Sequence, residues 1–235
     1  GFNRDEQVSG EGDTNDGWWG ISSGMRLDWQ VDQRDSTTFD AGYLRSEAGR
    51  RDQRPRITAP FVFNNLENEV SHNAHALARW SHTINEKSSW SLQAYYDRFI
   101  RIFEELEEYQ RWDTYDLDFQ HEFPLGDRNK IVWGLGYRMV NVYLGNTETD
   151  KGFILSYEHN HRHPQVASAF LQDEIVLIQD KLTLTLGSKI EYNTYTDFEI
   201  QPTARLLWMP TERQSVWAAV SRAVRTPSVA DDELR

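Results

Sequence analysis

The run Leu182-Thr-Leu-Thr-Leu-Gly-Ser-Lys-Ile-Glu-Tyr192 decides the fold. Leu182, Leu184, Leu186, Ile190 and Tyr192 fall on one face, and Thr183, Thr185, Gly187, Lys189 and Glu191 on the other. Period two marks a β-strand with one apolar side. An average strand of a soluble sandwich holds about five or six residues. This run is close to the roughly 9–11 that cross a bilayer at a tilt.

The same rhythm recurs upstream. Ile131, Trp133, Leu135, Tyr137 and Met139 alternate with Val132, Gly134, Gly136 and Arg138. Met25, Leu27, Trp29 and Val31 alternate with Gly24, Arg26, Asp28 and Gln30. Tyr115, Leu117 and Phe119 alternate with Thr114, Asp116, Asp118 and Gln120. Short polar turns at Asp32–Asp35, Asn85–Ser88, Leu125–Asn129, Gln179–Lys181 and Thr211–Arg213 join successive runs, while longer loops are expected at Arg45–Asn73, Arg98–Tyr109 and Leu144–Pro164. Strands are expected near 17–31, 36–46, 73–84, 88–102, 109–123, 129–143, 165–178, 182–194, 199–209 and 214–224. The fold class is all-β, an antiparallel transmembrane barrel segment of about ten strands, with short turns at one end and long loops at the other. Helix signals are scarce. Phe103–Gln110 carries Glu104, Glu105, Glu107 and Glu108 without an apolar stripe, and reads as a solvated loop or strand extension.

The composition fits this picture. The chain has 235 residues, 38% of them hydrophobic, yet nine Trp and ten Tyr, and a net charge of −12. The acidic balance argues against a nucleic-acid partner. No cysteine is present, so neither a disulfide framework nor a thiolate site exists. No run approaches the length of a transmembrane helix. Gly1 opens the chain with no apolar segment after it, so a signal peptide is expected to be absent or already removed. Trp29, Phe39, Trp80, Trp90, Phe123, Trp133 and Trp208 share the apolar parity of their strands near short turns, and Tyr43, Tyr96, Tyr137 and Tyr192 share it farther away. Two interfacial girdles place such rings at headgroup level; ordinary cross-strand aromatic packing is the alternative. Asp173, His82 and His121 break the pattern by falling on the apolar face, and the parity of Trp217 is ambiguous.

The last third carries motifs in a fixed order: Ser168-Ala-Phe-Leu-Gln-Asp-Glu174, Leu182 to Ile190, Pro202-Thr-Ala-Arg-Leu-Leu-Trp208, Pro210-Thr-Glu-Arg213, and Val220-Ser-Arg-Ala-Val-Arg-Thr-Pro-Ser228 followed by Asp231-Asp-Glu-Leu234. This stretch, Gln165 to Leu234, resembles the mid-barrel region of TonB-dependent outer-membrane receptors. The resemblance implies a bacterial outer-membrane location, uptake of a scarce nutrient, most often a ferric siderophore, and energy from the TonB complex acting on a plug domain. It implies a structural or lumen-side role for Arg222, Arg225 and Pro227. No plug or TonB-engaging segment is recognisable, so residues 1–235 are expected to be a partial barrel of a receptor whose complete wall has about 22 strands. An arc of ten strands has open edges, which a membrane does not tolerate.

Three clusters carry candidate chemistry. Arg50, Arg51, Arg54 and Arg56, in a basic stretch that starts at Arg45, can attract an anionic ferric chelate or pair with lipopolysaccharide phosphates. His159, His161 and His163 alternate, so an extended strand turns all three imidazoles to one side, as a transition metal requires; a polar loop that happens to contain histidine is the plainer reading. The run Glu104–Glu108 can hold calcium or a cationic ligand, or simply be solvated. No cofactor is implied. Nucleophile-elbow, His-Glu-x-x-His and phosphate-loop motifs are absent, so an enzyme is not expected. The partners expected are outer-membrane lipid and lipopolysaccharide, the TonB complex through a plug, and a small ligand such as a ferric chelate. A passive porin-like barrel and a soluble all-β binding module are the rival readings.

Overall fold

The computed structural model describes residues 1–5, 8–9, 12–13, 15–55, 59–103, 108–145, 147–148, 154–155 and 159–225. In chain order the strands are β1 (Phe2–Arg4), β2 (Val8–Ser9), β3 (Gly12–Asp13), β4 (Trp18–Gln30), β5 (Asp35–Pro55), β6 (Val62–Asn85), β7 (Ser88–Phe103), β8 (Glu108–Leu125), β9 (Asn129–Leu144), β10 (Thr147–Glu148), β11 (Ile154–Leu155), β12 (His161–Arg162), β13 (Gln165–Ile178), β14 (Leu182–Asn193), β15 (Asp197–Thr211) and β16 (Gln214–Ser221). A single 12-stranded sheet runs β1-β4-β5-β6-β7-β8-β9-β13-β14-β15-β16, with β12 also paired to β9. Every pairing is antiparallel. The sheet is an open meander, and each of the ten expected strands is present in it.

Residues opposite one another in a ladder project to the same side. One row reads Leu27, Phe39, Ala78, Ala94, Leu117, Tyr137, Ala167, Tyr192, Phe198 across nine strands. The row one residue along reads Asp28, Thr38, Arg79, Gln93, Asp118, Gly136, Ser168, Glu191, Glu199. The sheet therefore has one continuous apolar face and one continuous polar face. Among the described residues nothing covers the apolar side: Leu135 is 52% exposed, Ile190 50% and Trp208 50%. An uncovered apolar surface of this extent is foreign to a soluble monomer.

Two expected loops are strand. β5 and β6 continue to Pro55 and from Val62, so Arg45–Asn73 is mostly a paired hairpin arm, with Arg50 opposite Glu67. β7 runs on to Phe103 and β8 begins at Glu108, which shortens the loop expected at Arg98–Tyr109; of the acidic run, Glu104, Glu105 and Glu107 lie outside the described residues. Beyond the apolar band both faces of a strand meet polar surroundings, so the ladder persists after the hydrophobic alternation has ended. Within Leu144–Pro164, β12 pairs with the end of β9.

The residues that break the apolar pattern sit close to the short turns and are partnered there. Asp35 accepts hydrogen bonds from Trp80 Nε1 at 2.7 Å and joins His82 Nδ1 at 2.8 Å. His121 receives Trp133 Nε1 at 3.2 Å and lies 3.2 Å from Ser88 Oγ, while Asp173 accepts from Asn129 at 2.7 Å. An aromatic chain links them: Trp80–Trp90 at 4.7 Å, Trp90–Phe119 at 6.1 Å and Phe119–Trp133 at 5.3 Å between centroids. A second set gathers farther from the turns, with Tyr96–Tyr115 and Tyr192–Phe198 both at 5.1 Å. Trp217 pairs with Leu207, which puts it on the polar side, opposite to Trp208.

Candidate functional site: a guanidinium and aromatic cluster at the long-loop end

Along β7 the polar parity carries Phe99, Arg101 and Phe103, and along β8 it carries Glu108, Gln110 and Trp112. The register sets Phe99 beside Trp112 and Phe103 beside Glu108. On the neighbouring arm, Glu69 of β6 lies opposite Phe103, and Glu67 opposite Arg50 of β5. Period two thus delivers cations, rings and carboxylates from four strands to one patch.

The ring of Phe103 is the centre of the patch and is 5% exposed. The Arg50 and Arg101 guanidinium carbons both lie 5.7 Å from its centroid, and Arg101 also lies 5.6 Å from that of Phe99. Phe99 packs on Trp112 at 5.6 Å. Glu69 ties the two cations together, 3.3 Å from Arg50 Nη1 and 3.1 Å from Arg101 Nε. Gln110 donates to Glu108, and both are buried. Val142 and Leu144 pack with Trp112 to floor the patch. Arg50 and Arg101 keep 44% and 37% of their side chains exposed.

A guanidinium offers planar, directional donors and stacks on rings. Two of them pinned over phenyl faces suit a planar, oxygen-rich ligand. Two cations face three carboxylates here, Glu67, Glu69 and Glu108, so geometry rather than net charge would govern selection.

The expected site residues are distributed differently. Arg50 belongs to the patch. Arg51, opposite Leu66, has the other parity and points to the opposite face. Arg54 pairs with Phe63 in the backbone ladder, but its side chain, like all of Arg56, lies outside the described residues. His161 and His163 both occur on the apolar parity, His161 on Tyr143 at 4.8 Å and His163 bonded to Asn141 Oδ1 at 2.8 Å. His159 is exposed. Among the described residues no three His, Cys, Asp or Glu are grouped closely enough to hold a metal. Arg222 pairs with Glu199 at 2.9 Å and bonds the carbonyl of Ile200, which ties the end of β16 to β15. Arg225 is exposed and Pro227 lies outside the described residues.

Phe99, Arg101, Phe103, Glu69 and Trp112 were not among the expected site residues. Their signal is present in the sequence: Phe99 and Phe103 flank Arg101 at every second position of a parity that is otherwise polar.

Below the patch the polar face is a lattice of local pairs. His75 meets Asp40 at 2.9 Å, Asn73 donates to Asp97 at 2.8 Å, Arg138 pairs with Asp116 at 2.7 Å and Lys189 with Glu191 at 2.7 Å. Such half-exposed pairs are each worth about 0–1 kcal/mol. They suit a wetted wall.

No curated protein sequence matches the chain. Solved structures do. The siderophore receptor PirA from Pseudomonas aeruginosa superposes with a TM-score of 0.68 at 18% identity, over 90% of this chain and 34% of that one. A mutant of the ferric enterobactin receptor PfeA from the same organism gives 0.68 at 14% identity, over 92% and 34%. The ferric citrate transporter FecA in its unliganded form gives 0.61 at 13% identity, over 88% and 36%. At these identities the likeness concerns the fold, and the chain spans about a third of the length of these receptors. A family model described as TonB dependent receptor-like, beta-barrel matches residues 3–234. The chain belongs to the TonB dependent receptor-like β-barrel family.

Proposed function

We propose that residues 1–235 form one arc of the barrel wall of an outer-membrane receptor that takes up a ferric siderophore. Energy reaches it through TonB acting on a plug domain carried elsewhere in the full protein. In this reading the apolar face meets lipid, the aromatic chains lie at the two interfaces, and the polar face lines the lumen. The open edge at β16 is closed by further strands, because unpaired backbone is costly in a bilayer.

The observation that carries the cargo is Arg101 stacked between Phe99 and Phe103 at the long-loop end, where a ligand arriving from outside first meets the lumen. Catecholate rings and their anionic oxygens match that pairing of aromatic faces and guanidinium donors. The receptors with similar folds include a ferric enterobactin receptor. The decisive experiment is uptake of iron-55 catecholate by iron-starved cells that express the complete receptor, with and without TonB. Saturable, TonB-dependent uptake supports the reading. Uptake indifferent to TonB returns the chain to a passive barrel, and no uptake of any ferric chelate removes the cargo.

A further inference from the structure

The two guanidinium groups over Phe103 share one poorly fitted acid. Glu69 Oε2 accepts from Arg50 Nη1 at 3.3 Å, whereas charge-assisted N–H···O bonds run at about 2.7–2.9 Å. Glu69 Oε1 stands 3.1 Å from Arg101 Nε, yet the pair is misaligned, and that buried N–H finds no acceptor among the described residues. A buried donor left without an acceptor is destabilising. The remaining hold on the carboxylate is Ser71 Oγ, which donates to Oε1 at 3.4 Å.

The other two acids of the patch are fixed. Glu67 and Glu108 are buried, and Glu108 accepts from Gln110. Glu69 keeps 20% of its side chain exposed, so of these three carboxylates it is the one that borders solvent.

Glu69 also has room to move. One row of the polar face reads Trp18, Ala48, Glu69, Phe103, and the next reads Gly20, Ser46, Ser71, Arg101. Trp18 and Phe103 stand three ladder spacings apart, about 14 Å. Phe2 lies over Gly20, 5.4 Å from Trp18, and completes the far wall. Between the two aromatic walls the side chains of Ser46, Ala48 and Ser71 are small. A carboxylate leaving the arginines swings over Ala48 into this trough.

We propose that Glu69 is the specificity-determining residue of the patch: a resident counter-anion that the anionic oxygens of a ferric chelate displace from Arg50 and Arg101. The inference rests on the uptake reading above and deepens it. A chelate oxygen that meets Arg101 Nε in line supplies the acceptor that Glu69 does not, and adjacent anionic oxygens match the planar forks of both guanidinium groups. The exchange costs an anionic chelate the contacts of Glu69 and costs a neutral chelate nothing. Glu69 therefore sets how strongly ligand charge counts.

The test is a fluorescence titration of the complete receptor in detergent with two probes, a trianionic ferric tris-catecholate and a neutral ferric trihydroxamate. In Glu69→Gln the catecholate is expected to bind about tenfold tighter, since each of two partly exposed ion pairs is worth up to about a factor of five. The trihydroxamate, bound or not, should shift by less than about twofold. A residue that only aligned the arginines would weaken catecholate binding when changed, which is the opposite sign. Glu69→Asp keeps the charge but is one methylene short of spanning both guanidinium groups. It is expected to tighten catecholate binding about threefold, and serves if the Gln protein misfolds. Unchanged or weaker catecholate binding in the folded variants overturns the proposal, and so does equal tightening for both probes. A folded wild-type receptor that binds no ferric catecholate overturns the cargo reading, and this inference with it.

Discussion

The carboxylate of Asp35 and the imidazole of His82 meet at 2.8 Å on the apolar face, one strand apart and next to a short turn. The same oxygen takes the indole proton of Trp80 at 2.7 Å. An acid and a histidine that look misplaced on an apolar parity are therefore a closed hydrogen-bonded unit beside the turn, where water can still complete them. The unit also orients Trp80 against Trp90, one link of the aromatic chain.

Removing the acid should loosen that link. Asp35→Ala takes from the indole N–H and the imidazole their shared acceptor, which water replaces only in part, and should lower the unfolding midpoint slightly. Asp35→Asn keeps an acceptor oxygen and should cost less. Urea unfolding of the receptor in lipid vesicles, followed by heat-modifiable mobility, reads the difference. Equal midpoints for wild type and Asp35→Ala would show that the unit contributes no stability.

Glycine positions on the polar face differ in what surrounds them. A Cβ on Gly134 would stand 2.4 Å from the Phe119 carbonyl oxygen and 2.5 Å from the Phe170 ring, so backbone must shift. A Cβ on Gly42 would first meet the His75 ring, 2.5 Å away. That ring can swing, at the expense of its contact with Asp40. Gly134→Ala is expected to destabilise by about 1–3 kcal/mol and Gly42→Ala by less. Reversed unfolding midpoints would refute the ranking.

These positions also mark how far the sequence could be read. Gly134 and Gly136 sit in a run whose alternation with Trp133, Leu135 and Tyr137 announces a two-faced strand, and register reproduces that division in every neighbour. The arm formed by β5 and β6 was not legible. Glu47-Ala-Gly-Arg-Arg51 has no apolar parity, because above the band neither face needs one; what holds it is backbone pairing, such as Arg50 to Glu67. Trp217 was ambiguous because Val216, Trp217 and Ala218 are all apolar, and its pairing with Leu207 settles the side.

The candidate site was half legible for the same reason. A cluster of arginines in sequence is not a cluster in a strand. Arg50 and Arg51 diverge to opposite faces, whereas Arg50 and Arg101, 51 positions apart, cover one ring.

Ligand binding should separate those neighbours. Arg101→Ala removes a guanidinium that touches Phe99, Phe103 and Glu69, and is expected to weaken ferric catecholate binding to the complete receptor about tenfold. Arg51→Ala, on the other face, should change it by less than about twofold, in line with an exposed charge outside the patch. Titration with tryptophan fluorescence as the signal measures both. An Arg51→Ala loss that matches or exceeds that of Arg101→Ala would move the site away from the Phe103 cluster.

Ala167 and Ser168 are adjacent in β13 and face opposite ways: Ala167 lies between Tyr137 and Tyr192, and Ser168 between Gly136 and Glu191. The chain contains no cysteine, so each position can carry a unique thiol within it. If the apolar face meets lipid, a fluorophore on Ala167→Cys should be quenched by brominated acyl chains, and one on Ser168→Cys by aqueous iodide. The alternation of a spanning strand demands this switch within one residue. A soluble module with its apolar face against a protein partner predicts something else: neither label is quenched by lipid, and the protein stays monodisperse without detergent. A channel without TonB coupling gives the same two-sided result as a receptor, so this pair of labels tests the membrane assignment alone. Lipid quenching at Ser168→Cys equal to that at Ala167→Cys would contradict the division into two faces on which the site and the proposed function both depend.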